Sequence, residues 1–134
     1  MNREVFINLP VKSLERSVKF YTKIGFTFDK NFTNEDGTMM IVNDKASVML
    51  LTEKFFQSFT KKPIGNAEKS PEVIVALSAD SKEDVDNQAA KVEKAGGKIV
   101  DKFTEPAEMY GIRFEDPDAH LWEIFYMDMK AMQP

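Results

Sequence analysis

The amino-acid sequence predicts an α+β protein built from two β-α-β-β-β halves. Three observations carry that reading. The order strand, helix, three strands can be read twice along the chain. Ser13 and Ser81, each placed to cap the helix that follows a first strand, stand 68 residues apart, about half of the 134. The run Asp116-Pro117-Asp118-Ala119 is turn chemistry between two apolar segments, because Pro117 presets φ and the flanking aspartates can bond nearby backbone amides. The other topology that fits the pattern is a single ferredoxin-like domain without duplication.

Taken in order, Val5 to Val11 reads as a first strand whose pairing is ended by Pro10, which has no amide to donate. Ser13 caps a helix whose apolar face is Leu14, Ser17, Val18, Tyr21 and Ile24, and Gly25 stops it. Phe26 to Phe28, Thr38 to Asn43 and Ala46 to Thr52 are the three strands that follow, with turns at Asn34-Glu35-Asp36-Gly37 and Asn43-Asp44-Lys45. Phe55, Phe56 and Phe59 suggest a helical turn, and the breakers around Lys61 to Asn66 a linker. The second half starts with a strand over Glu72 to Ala79. Ser81 then caps a helix with Val85, Ala89, Val92 and Gly96 inward, which Gly96-Gly97 terminates. Strands over Lys98 to Phe103 and Tyr110 to Glu115, a loop over Glu105 to Glu108, and the strand after Ala119 complete it. The expected organisation is one domain, with modules over residues 1–60 and 72–134 joined by a linker over 61–71.

Composition narrows the function classes. There are no cysteines, which excludes disulfides, thiolate metal sites and cysteine nucleophiles and fits a cytoplasmic setting. A formal net charge of −4, with lysines scattered among acids, argues against nucleic acid as a partner. No transmembrane run or signal peptide is visible, so no membrane partner is expected.

The most informative residue is Glu123. On a strand, Leu121, Glu123 and Phe125 share one face, and Trp122, Ile124 and Tyr126 the other. A carboxylate in so apolar a strand needs a partner, a metal, a water-filled cavity or a shift towards its neutral form.

Asn8 to Phe26, with Leu14 and Phe20-Tyr21, resembles the opening of the vicinal oxygen chelate superfamily, which includes glyoxalase I, bleomycin-resistance proteins and extradiol dioxygenases. Phe114-Glu115-Asp116-Pro117-Asp118-Ala119-His120-Leu121-Trp122-Glu123 resembles its closing strand. The resemblance implies paired βαβββ modules forming a half-open, eight-stranded barrel-like sheet with helices outside and the ligand inside. It also implies four metal-ligand positions on the first and fourth strands of each module. Carried onto this chain they fall at Phe6, at Leu50 to within one residue, at Ile74 and at Glu123. Phenylalanine, leucine and isoleucine cannot coordinate a cation, so Glu123 is the only ligand position retained and no metal cofactor is expected.

The first function class is therefore a small-molecule binding protein with an apolar cavity, for which bleomycin-resistance proteins are the precedent in the family. Glu123 is its polar anchor and its candidate catalytic group. Phe6, Asn8, Leu50, Glu72, Ile74, Tyr110 and Phe125 are the other candidate ligand-binding residues. The second class is a metal-dependent glyoxalase-like lyase or isomerase, or an extradiol-type dioxygenase, drawing ligands from Glu72, His120 or a second chain. A purely structural interaction module is the third. Tyr110 and Arg113 could bind an anionic or phenolic ligand, but Arg113 is expected to pair with Glu115 or Asp116, His120 to sit at a sheet end, and Met39, Met40 and Met49 to belong to the core. The resemblance implies a homodimer, and Phe55, Phe56 and Phe59 are the apolar side chains offered for it.

Overall fold

The structure, a computed structural model, describes residues 2–104 and 109–128, so the expected loop over Glu105 to Glu108 lies outside the described residues. The chain divides into two compact units, Met1–Gly65 and Asn66–Pro134. The first runs β1 (Val5–Val11), α1 (Leu14–Lys23), β2 (Thr27–Asp29), a 3₁₀ turn (Lys30–Phe32), β3 (Gly37–Ile41), β4 (Ala46–Thr52) and α2 (Glu53–Gln57). The second runs β5 (Ile74–Ser78), α3 (Lys82–Lys94), β6 (Lys98–Phe103), β7 (Met109–Glu115) and β8 (Leu121–Met127). Each unit holds its own four-stranded mixed sheet, in the orders β1-β4-β3-β2 and β5-β8-β7-β6. The first strand of each lies parallel to the fourth, and the other pairings are antiparallel. Two separate sheets rule out the single ferredoxin-like alternative.

The helix starts obey the capping signals. Ser13 Oγ accepts from the Arg16 amide at 3.1 Å, and Ser81 Oγ from the Asp84 amide at 3.0 Å. Asp84 reaches back to accept from the Asp80 amide at 3.0 Å. Gly25 and Gly96, at φ 106° and 94°, follow the helix ends in backbone conformations that cost other residues energy. Gly96 is thus a helix stop, as expected, but it is exposed rather than part of the inward face. A 10-residue helix such as α1 is marginal alone, so packing on the sheet must hold it.

Most of that packing lies on the helix-bearing face of each sheet, with Leu51 buried on the other face of the first. Leu9, Val11, Met40, Val48 and Leu50 are buried together with Phe20 and Tyr21 of α1 and Ile24 at its C-terminal end. In the second unit Val75, Ile112, Phe114, Trp122 and Ile124 are buried with Val85, Ala89 and Val92 of α3. The rings of Phe114 and Trp122 stack, with centroids 6.2 Å apart. Each large side chain so buried contributes about 1.5–3 kcal/mol, more than the roughly 0.5–1.5 kcal/mol of one hydrogen bond, so these layers hold the helices in place.

Pairing corrects the expected ends of two strands, and β1 keeps its register with β4 through Pro10 to Val11 rather than stopping at the proline. The strand expected from Glu72 begins at Ile74, because β8 starts opposite Ile74 at Leu121 and leaves 72 and 73 no ladder partner. Of the three phenylalanines offered for a dimer, Phe55 and Phe56 are half-buried in α2, which packs on β1 and β4, and Phe59 alone stays exposed, at 59%.

β6 carries a bulge. Ile99 lies opposite Phe114, but Asp101 rather than Val100 lies opposite Arg113. The extra residue, Val100, is exposed.

Tyr110 also belongs to the helix-bearing face, since its hydroxyl donates to Asp86 of α3 at 2.5 Å and Lys82 Nζ lies 5.8 Å from its ring centre. That hydrogen bond, with smaller effects from burial and the Asp86 charge, raises the Tyr110 pKa above its ordinary 10.0. A phenol whose folded pKa is raised contributes stability that is complete below the unfolded value and is lost as pH rises through the folded one. Tyr110→Phe is therefore expected to cost about 0.5–1 kcal/mol at pH 8. In urea melts, its deficit against the parent should shrink above pH 10.

Candidate functional site

The site is laid out by the β7–β8 turn. Asp116 is buried, its Oδ1 accepting from the amides of Asp118 at 2.9 Å and His120 at 3.0 Å, and its Oδ2 from Trp122 Nε1 at 3.2 Å. Two backbone bonds close the same turn, Asp116 N to His120 O and Ala119 N to Asp116 O. Ala119 takes φ 66°, the one positive φ of a non-glycine among the described residues. With the turn fixed, Glu115 must face Leu121 and Arg113 must face Glu123.

Arg113 and Glu123 meet on the face away from α3. Arg113 Nε donates to Glu123 Oε2 at 3.0 Å, and Arg113 Nη1 to Asp101 Oδ2 at 3.2 Å. The guanidinium carbon also lies 4.3 Å above the centre of the Phe103 ring. The bulge is what turns Asp101 and Phe103 to this face. Phe103 in turn lies across Gly111, where a Cβ would run into its ring and into Ile124 O, so only glycine fits. The two ion pairs are unequal. The Glu123 side chain is 14% exposed and that of Asp101 50%, so water screens the second and leaves it at most about 1 kcal/mol.

Arg113 was expected to pair with Glu115 or Asp116. It does neither, because Glu115 lies two residues along the same strand and Asp116 is committed to the turn. Cross-strand register, not closeness in sequence, selects the partner.

Across the second sheet the register sets Ala76, Glu123, Arg113 and Asp101 in one row on one face. Ile74 and Phe125 share that face, so three of the expected site residues, Ile74, Glu123 and Phe125, come together. Tyr110 does not, being bonded to α3 on the other face. Glu72 is exposed ahead of β5. His120 is at the turn, as expected, and its backbone serves Asp116.

The first sheet repeats the row as Asn8, Met49, Met39 and Asp29. Asn8 lies five residues before the capping Ser13, as Ala76 lies five before Ser81, so Met49 is the counterpart of Glu123. Leu50 is not. It pairs with Leu9 and is fully buried on the α1 side, whereas Phe6 and Asn8 face the other way. The one-residue tolerance on that position resolves to Met49, since a one-residue slip on a strand changes its face. Of the three methionines expected in the core, only Met40 is buried.

A cavity of about 340 Å³ opens on the α1 side of the first sheet, lined by Leu14, Glu15, Val18, Lys19, Thr33, Asn34 and Thr38. None of the expected site residues lines it.

The donor set can be tested against the metal that the resemblance implies. Phe6, Met49, Ile74 and Glu123 offer one hard donor, and that carboxylate is held by a guanidinium. No three His, Asp or Glu side chains among the described residues are placed to share a cation. The residues present do not fit a divalent metal at these positions.

Comparison with known proteins agrees with this architecture. The family model described as Glyoxalase/Bleomycin resistance protein/Dioxygenase superfamily matches residues 5–124. No curated protein matches the chain. Among solved structures, a hypothetical protein from S. aureus is 27% identical, with 94% of each chain covered and a TM-score of 0.80. A glyoxalase-related enzyme from Fulvimarina pelagi is 20% identical over 94% of this chain and 88% of its own, with a TM-score of 0.80. A lactoylglutathione lyase from Agrobacterium tumefaciens is 13% identical over 96% of each, with a TM-score of 0.71. The last two likenesses speak to fold alone. Among the described residues no helix is long and apolar enough to cross a membrane.

The pairing predicts how Glu123 responds to substitution. Glu123→Gln keeps an oxygen for Arg113 Nε but removes the charge, and should cost about 1 kcal/mol at pH 8; Glu123→Leu, which leaves the guanidinium facing carbon, about 2–3 kcal/mol. Thermal melts of the three proteins measure this. A glutamine variant as stable as the parent would mean that the pair contributes nothing.

Proposed function

Because the chain belongs to the glyoxalase/bleomycin resistance protein/dioxygenase superfamily, we propose that it binds a small organic molecule without the help of a divalent metal. The ligand lies against the face of the second sheet that carries Glu123. The observation that supports this is the 3.0 Å bond from Arg113 to Glu123: the one carboxylate at a family ligand position already has a cation, and it belongs to the protein. Beside the charged row, the register puts Ile74, Ala76, Leu121 and Phe125 on the same face, an apolar wall next to a few polar groups, as small-molecule sites commonly have. In the first sheet Phe6 and Met49 stand at the corresponding family positions, and Asn8 shares their face. Glu123 is read here as an anchor. It would act as a base only if the ligand drew Arg113 away.

A metal-dependent lyase, isomerase or dioxygenase would need donors other than these. The reading also includes a homodimer, for which the exposed Phe59 is the remaining apolar support.

Protein purified without chelator is expected to carry far less than one equivalent of zinc, nickel, manganese or iron by elemental analysis; one equivalent would overturn the metal-free reading. A thermal-melt screen of small aromatic compounds on the full chain should yield ligands that raise the melting temperature. A ligand at a hundred times its Kd adds about 2.7 kcal/mol. Phe125→Ser should abolish that gain while still melting cooperatively. Light scattering of the same samples should give a dimer mass, and a monomer mass removes the homodimer from the proposal.

A further inference from the structure

We infer that Arg113 stands where the family places a divalent cation, and that it selects a neutral ligand with a carbonyl-type oxygen on an apolar body rather than a carboxylate or a phosphate. This rests on the reading above that a small molecule binds on the Glu123 face. The guanidinium is held on two sides, Nε by Glu123 and Nη1 by Asp101, and its carbon lies over the Phe103 ring. Among the described residues Nη2 has no hydrogen-bond partner, so its two N–H donors remain on a group whose position is already set. Such a donor strengthens a bond to a carbonyl oxygen in the way a metal would, though less strongly.

Charge then chooses between classes of acceptor. One guanidinium between two carboxylates leaves the cluster at a formal −1, and the Glu115 and Lys98 that follow on the same face, being of opposite sign, leave that sum unchanged. An incoming carboxylate would meet one positive and two negative groups at close range and would also lose its hydration against Ile74, Leu121 and Phe125. A neutral carbonyl takes the charge-assisted bond without adding charge. Its apolar body gains from the same surround that penalises an anion. Arginine also remains charged at every working pH and cannot be removed by a chelator, so this selectivity should be independent of EDTA.

The test uses three probes of one shape: 2-acetylnaphthalene, 2-ethylnaphthalene and 2-naphthoate, an acceptor, a hydrocarbon and an anion. Each is titrated calorimetrically into the full chain with EDTA present. The ketone should bind about tenfold tighter than the hydrocarbon, and the naphthoate weakest of all. Arg113→Met should bring the ketone to the level of the hydrocarbon and leave hydrocarbon affinity within about twofold; if that variant fails to fold, Arg113→Lys should still reduce the ketone preference. Naphthoate binding as tightly as the ketone, a ketone preference that survives loss of Arg113, or one that appears only with added Zn²⁺ overturns the inference. Binding of the hydrocarbon with no gain for the ketone overturns it too and leaves small-molecule binding standing. Failure of all three probes to bind overturns both.

Discussion

One buried carboxylate sets the geometry on which the candidate site depends. Asp116 gathers two backbone amides and the Trp122 indole, and a partly desolvated carboxylate with three donors has little reason to move. Its grip fixes where β7 stops and β8 starts. From that register follow the Arg113–Glu123 pair on one face and the Phe114–Trp122 stack on the other. The indole bond joins the turn directly to the core, so the hairpin cannot slip by a residue without tearing both.

The two sheets apply one plan to different chemistry. Asn8, Met49, Met39 and Asp29 stand in the first in the order that Ala76, Glu123, Arg113 and Asp101 occupy in the second. Even the close approaches correspond. Gly37 sits opposite Leu51, two residues past Met49, and Gly111 opposite Phe125, two past Glu123, and at each a Cβ would strike a neighbour. The chain has kept the backbone contacts of a repeat and let the row diverge. In one sheet the middle of the row is two thioethers; in the other it is an ion pair. A half-buried ion pair persists only if both members are present, which explains why the polar residues of the second row come as a set.

Much of this was legible in the amino-acid sequence. The capping serines, the helix stops and the turn residues act over three or four positions, and local hydrogen bonds decide them, so the strand and helix order followed. Placing Glu123 on a face with Leu121 and Phe125 needed only the strand period. The partner of Glu123 was harder, although its signal was present: once Asp116 to His120 is a turn, counting outwards on both strands sets Arg113 against Glu123. Preference for the nearer acids, Glu115 and Asp116, hid that count. Leu50 was misplaced by one residue because two apolar neighbours, Met49 and Leu50, look alike until the parallel pairing with β1 assigns their faces. Asp101 and Phe103 could not be placed at all, since a bulge has no local signature in Lys98 to Phe103 and depends on how an edge strand meets its neighbour.

The bulge has a second effect, on how the molecule behaves in company. β6 is the outer strand of its sheet, and an outer strand with free amides and carbonyls invites a strand from another molecule to extend the sheet. Val100 breaks the even spacing of those groups. A visiting strand would have to reproduce the misfit to form a continuous ladder, and Lys98 and Lys102 would add their charge to the penalty. The irregularity that turns Asp101 towards Arg113 therefore also makes this edge a poor seed for aggregation.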